Sequence, residues 1–196
     1  MQKPNNFDEV NAGGEYVPIN LGGHHAVIVS VKEQQSSTGK NMVVVALDFA
    51  RNDSQPGYFK TQFENDDRPD KKWPYQAVQY IVTEDMNGKC SKSFKGFITS
   101  FEKSNNATAV WGDNFTAQFK NKKIGVVYGE VEEEYNGEIK TRHRIRWFCE
   151  DGKVDAQKIP DKKYLNNAPS NTGASIPGVN ADFVQVIEGA DEEIPF

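Results

Sequence analysis

Apolar residues recur at every second position along much of this chain, and that period is the signature of half-buried β-strands. Val27, Val29 and Val31 alternate within Ala26 to Lys32, and Met42 to Phe49 follows across a turn-forming segment rich in serine, threonine and glycine. Val43, Val45, Leu47 and Phe49 share one face of that second run while Met42, Val44 and Ala46 share the other, so a strand buried on both sides is expected. Tyr58 to Glu64 alternates again and predicts a third strand. Ile124 to Tyr135 and Glu138 to Cys149 are two longer runs joined by Asn136-Gly137, the dipeptide preferred in two-residue hairpin turns.

One segment breaks the pattern. Phe94, Phe97, Ile98 and Phe101 fall at i, i+3, i+4 and i+7 and predict a helix over Ser93 to Lys103 with one apolar stripe. Residues 65 to 92 read as a long loop or insertion with an ordered middle. Residues 107 to 123 read as a connection in which at least two of Trp111, Phe115 and Phe119 pack. Strand, strand, strand, helix, strand, strand is the chain order of an OB-fold, an all-β, partly open five-stranded barrel with one capping helix. Domain boundaries follow: a barrel over residues 1–164, opening on an irregular arm, and an expected disordered tail over 165–196, where Asn, Pro, Ser, Gly, Ala and Thr dominate.

At 196 residues with 37% apolar and 26% charged content, the chain is long enough for one well-packed domain with additions, and no apolar run approaches membrane-spanning length. The net charge of -5 is unevenly placed. From Leu165 onward there are five acids (Asp182, Glu188, Asp191, Glu192, Glu193) and no Lys or Arg, which leaves the body near neutral and free to hold a local basic groove. The start, Met-Gln-Lys-Pro, lacks a secretory pattern. Cys90 and Cys149 lie in unlike segments, which suits two free thiols and a cytoplasmic location.

Candidate chemistry lies in how cations and rings alternate. On an ideal strand Arg142, Arg144 and Arg146 share a face at intervals of about 7 Å, a spacing that suits successive phosphates of an extended single strand. The competing arrangement is a solvated face whose arginines pair with Glu130, Glu132 and Glu134 opposite. Phe49, Arg51, Tyr58 and Lys60 fall on or beside the barrel face that OB-folds use, with Lys40 in the flanking turn. Lys71 and Lys72 beside Trp73 and Tyr75 suggest a flap that stacks a base while neutralising phosphate, against the alternative that these rings staple the loop to the core. Trp147 is a further stacking candidate.

Enzyme chemistry finds little support. Pro69-Asp70 and Glu138-Ile139-Lys140 are too far apart for a metal-dependent nuclease, His24 and His25 point to opposite faces of a strand, neither cysteine has a CxxC partner, and no phosphate loop or GxSxG motif is present. No metal or cofactor is expected. A protein-interaction adaptor that never touches nucleic acid is the remaining alternative.

The chain ends Asp191-Glu192-Glu193-Ile194-Pro195-Phe196. Acids before an apolar pair and a terminal aromatic resemble the C-terminal peptide of bacterial single-stranded DNA-binding proteins, with Glu192 and Glu193 where that peptide usually carries aspartates. The resemblance implies that Phe196 enters an apolar pocket of a partner with its carboxylate on an arginine, that Ile194 and Pro195 line the rim, and that the three acids meet a basic ridge. The body is similar to the single-stranded DNA-binding proteins of phages and prophages of Gram-positive bacteria through Tyr58-Phe59-Lys60, Lys72-Trp73-Pro74, Phe94-Lys95-Gly96-Phe97-Ile98 and Arg146-Trp147-Phe148, spread over most of residues 7 to 149. That likeness implies a non-enzymatic OB-fold protein that coats single-stranded DNA during phage replication or recombination and recruits tail-binding enzymes. Pairing of two copies, as a dimer, would add avidity.

Overall fold

The structure, a computed structural model, describes Lys3 and residues 17–165. The acidic tip Asp191 to Phe196, the rest of the tail and most of the N-terminal arm lie outside the described residues.

Five strands form one antiparallel sheet: β1 (Gly22–Gln35), β2 (Asn41–Phe49), β3 (Val78–Val82), β4 (Lys123–Tyr135) and β5 (Glu138–Cys149), hydrogen-bonded in the order β3-β2-β1-β4-β5. Two α-helices, α1 (Tyr58–Glu64) and α2 (Lys92–Asn105), and three short 3-10 helices complete the described residues. The fold is therefore mostly β. β1 organises it, pairing with β4 through Gly22 to Val27 and with β2 from Ala26 onward. A register shift between Ile28 and Ser30 lets it serve both neighbours. His24, Ala26 and Ile28 point inward before this bulge and Val31 after it, so parity inverts within one strand.

β2 is buried on both sides, as its unbroken apolar run predicts; Met42 to Leu47 are all buried. α2 closes one end of the sheet, resting on β3, β4 and β5. The hydroxyl of Ser91 accepts the Phe94 N–H at 3.1 Å and caps its first turn. Phe94, Phe97, Ile98 and Phe101 are buried, and Phe97 and Phe101 meet Phe119 at 5.2 and 4.6 Å between ring centroids. The expected helix is in place, with slightly wider bounds.

Two expectations fail. Tyr58 to Glu64 is a helix and not the third strand; that strand is Val78–Val82, inside the stretch read as a loop. Alternation of Phe59, Thr61 and Phe63 fits a strand, yet Phe59 and Phe63 also stand at i, i+4 on one helical face. What decides is local. Gly57 at φ 65° turns the chain, and the carboxylate of Asp48 accepts the backbone N–H of Phe59 at 3.0 Å and of Lys60 at 3.4 Å, capping a helix start from a neighbouring strand.

Beyond Cys149 the chain stays attached to the sheet. A 3-10 helix over Asp151–Ala156 sets Val154 directly on Gly23 and Gly125, where a Cβ would clash. Lys163 then adds a parallel bridge to the free half of β4, its N–H donating to Glu130 and its carbonyl accepting from Glu132, each at 2.9 Å. This covers an edge that β1 is too short to reach.

Candidate nucleic-acid interface

β3 and β5 are the two ends of the sheet, and the chain between α1 and β3 bridges the gap between them. The Trp73 indole N–H donates to the Leu47 carbonyl at 3.0 Å, so this stretch is nailed to β2. The next residues form a 3-10 helix, Tyr75–Ala77, which touches both β2 and β5. From β4 the buried Tyr128 hydroxyl donates to the Gln76 carbonyl at 2.8 Å; burial pushes that phenol well above its ordinary pKa and keeps it a donor. On the outside, Tyr75 lies flat under the Arg144 guanidinium, 3.9 Å from ring centroid to charge, while 49% of the tyrosine stays exposed. Arg144 is fixed in turn by two hydrogen bonds to the Glu133 carboxylate. The seam is thus a rigid ring-and-cation platform.

Around it, the structure sorts the candidate residues. Lys72 and Arg142 are exposed near this seam in sequence, and Lys71 sits over the Phe63 ring at 4.9 Å. Lys40 and Arg51 are also exposed, at the turn after β1 and the end of β2. Lys60 is exposed but shares its charge with Glu64 at 3.7 Å.

Several candidates are structural. Phe49 is 3% exposed, its ring parallel to that of His24 at 4.2 Å and edge-on to Tyr128, so it is a core residue and offers no face to a ligand. Trp73 is 9% exposed with its N–H consumed, which corrects its assignment as a stacking flap in favour of a staple. Tyr58 packs on Phe49 and donates its hydroxyl to the Val17 carbonyl at 2.6 Å.

The row of three arginines is also broken. β5 has a register shift opposite Val127 and Tyr128, so that Val127 pairs with Trp147 and Tyr128 with Ile145, leaving Arg146 as the extra residue of a bulge. Its guanidinium donates to the carbonyls of Asp161 and Glu130, at 2.7 and 3.3 Å. Trp147 keeps a half-exposed ring and donates to the Gln157 side chain at 3.1 Å. Arg142 is left as the one arginine of the row with no ion pair or hydrogen bond to its side chain among the described residues.

One surface row escaped the sequence reading. Lys32, Val44 and Tyr80 lie directly across from one another on β1, β2 and β3, which puts a lysine and a half-buried tyrosine on the same face. Burial first, then the neighbouring Tyr75, raises the Tyr80 phenol pKa and keeps it neutral. Its signal was there in the alternation of Val78 to Val82, but a five-residue run is short beside the charged cluster that precedes it.

Other polar clusters have structural work. His24 bridges the Asp53 carboxylate and the Asn20 carbonyl at 3.0 and 2.9 Å, while His25 turns the other way to Asp151 at 2.7 Å. Burial pushes the Cys149 thiol up to about 11, helped by Asp151 and Glu150, so it is a poor nucleophile. Among the described residues no cluster of three or more His, Cys, Asp or Glu side chains is placed to hold a metal ion, and no helix is long and apolar enough to cross a membrane. Neither a protein-family model nor a curated protein matches the chain.

Proposed function

We propose that this protein binds single-stranded DNA without sequence preference, through an OB-fold barrel, and serves DNA replication or recombination in the cytoplasm of a bacterial host. The observation that carries the reading is the Tyr75–Arg144 platform on the seam between β3 and β5, with Tyr80 and Lys32 on the adjoining face and with Lys72 and Arg142 exposed and close to the platform in sequence. Sheet order β3-β2-β1-β4-β5, with a helix between β3 and β4, is what a partly open OB barrel requires. Rings on such a face stack bases at about 1 to 3 kcal/mol each whatever the base, and the cations follow the backbone. Recruitment of partner enzymes by the Asp191 to Phe196 tip, and association of two copies, belong to the same proposal.

Titrating the full chain with oligo-dT and following tryptophan fluorescence tests it. Trp147 and Trp111 are exposed reporters, and affinity should fall steeply with salt, with duplex DNA binding more weakly. Equal affinity for single strand and duplex, or none for either, would reject the reading.

A further inference from the structure

Away from the seam, the chain in and around α2 is rich in lysine, with Asp85, whose carboxylate accepts the Lys89 N–H at 2.9 Å, and Asp151, whose N–H donates to Ser104, as acids brought to it from outside. Between Lys89 and Lys123 the sequence holds seven lysines and only two acids, Glu102 and Asp113. None of the seven takes part in an ion pair among the described residues, whereas Lys60, Lys140, Lys153 and Lys162 each have a carboxylate within 2.8 to 3.7 Å. The Glu102 carboxylate is engaged by the backbone, accepting the Ala109 N–H at 3.0 Å.

In the same stretch stands Trp111, 64% exposed. One face of its indole is stacked on buried Phe115, 4.9 Å between centroids and 11° from parallel, with buried Phe94 at its edge. The residue before it is pinned by Gln118, whose side-chain amide accepts the Val110 N–H and donates to the Val110 carbonyl, both at 2.8 Å. The backbone around the indole is therefore fixed, and one ring face is supported while much of the side chain meets water. The cavity at the α2 end, about 310 Å³, is lined by Glu102, Lys103, Asn106, Ala107 and Thr108, a polar set that offers no apolar socket for a bulky peptide side chain. A flat supported ring beside Phe94, on the helix turn that also carries Lys92 and Lys95, suits a stacked base followed by phosphates.

We propose that the α2 end of the barrel is a second contact surface for single-stranded DNA, with Trp111 stacking a base and Lys92 and Lys95 among the residues that follow the backbone. The proposal rests on the single-strand-binding reading and extends the path of the strand from the seam to this end.

Oligo-dT of two lengths, about 8 and about 30 nucleotides, separates the two surfaces, since one OB barrel engages roughly 4 to 16 nucleotides. The full chain is titrated with each by fluorescence anisotropy of labelled DNA. Trp111→Ala should lower affinity for the long oligonucleotide by roughly tenfold and leave the short one unchanged, and Trp111→Phe should restore much of the loss. Lys92→Gln with Lys95→Gln should flatten the salt dependence for the long oligonucleotide alone, by about 1.4 in the log–log slope. Trp111→Ala binding both lengths as the unaltered chain does would overturn the proposal and leave the parent reading standing. Failure of the unaltered chain to bind either length would overturn both. A labelled peptide of residues 182–196 whose binding is lost in Trp111→Ala, with long-DNA affinity intact, would instead make this end a docking site for the tail and refute the proposal.

Discussion

Asp53 shows how a single carboxylate ties the start of β1 to the loop after β2. Its side chain is almost wholly buried, and it accepts from the His24 ring, from the backbone N–H of His25 and Gln55, and from the Ser54 hydroxyl. Burial opposes its ionisation, but hydrogen bonds from His24 and the backbone outweigh burial and hold its pKa below the ordinary carboxylate value of 3.8. A depressed folded-state pKa contributes stability that is present above the unfolded pKa and is lost as pH falls through the folded one. Urea melts at stepped pH should therefore show a loss that begins near pH 4 and deepens below it. Asp53→Asn should be less stable at pH 7 by about 1 to 3 kcal/mol and should flatten the acid limb; an unchanged limb would mean that another group carries the acid sensitivity.

Among the elements, α1 is the one whose existence depends most on a residue outside it. No side chain of its own caps its start, and the Asp48 carboxylate of β2 does so from across the turn at Gly57. Asp48→Ala should cost about 1 to 2 kcal/mol, comparable to loss of a good N-cap, with amide exchange accelerated in α1 ahead of the sheet. Exchange that rises evenly over β2 and α1 would show that Asp48 supports the strand and not the helix. The same element explains where sequence reading reached its limit. β1, β2, α2 and the β4–β5 hairpin declare themselves by long, periodic apolar patterns, and each forms close to where its pattern lies. Tyr58 to Glu64 is seven residues long, and its two phenylalanines satisfy a period of two and a spacing of four alike, so the choice passed to a tertiary cap that no local pattern encodes. The arginine row failed for a related reason. Period-two parity places Arg142, Arg144 and Arg146 together, but a single bulged residue at Arg146 turns it toward Asp161, and only the register of β4 against β5 reveals it. Phe49 and Trp73 were ambiguous in kind: an aromatic beside a cation reads the same whether it faces solvent or core, and the His24 stack and the Leu47 carbonyl settle each one.

For the molecule as a whole, the question is which positive charges are available to a polyanion and which are already spent on the fold. Arg144 and Arg142 stand two residues apart on one face of β5 and differ in this respect. Arg144 is held bidentately by Glu133, with both side chains largely buried, and it roofs Tyr75 at the seam that joins the two ends of the sheet. Arg142 is exposed, with no ion pair to its side chain among the described residues. Arg144→Ala strands the Glu133 carboxylate and uncovers the Tyr75 ring, so stability should fall by about 2 to 4 kcal/mol in urea melts, and affinity for oligo-dT should drop because the platform loses its order. Arg142→Ala should leave stability within about 0.5 kcal/mol and reduce the log–log salt slope of binding by about 0.7, the share of one phosphate contact on a single strand. The two variants thus separate a cation that builds the binding face from one that meets the backbone. If Arg144→Ala lowered the salt slope while the melt stayed unchanged, the Glu133 pair would have to open on binding, and the seam would be a mobile clamp and not a fixed platform.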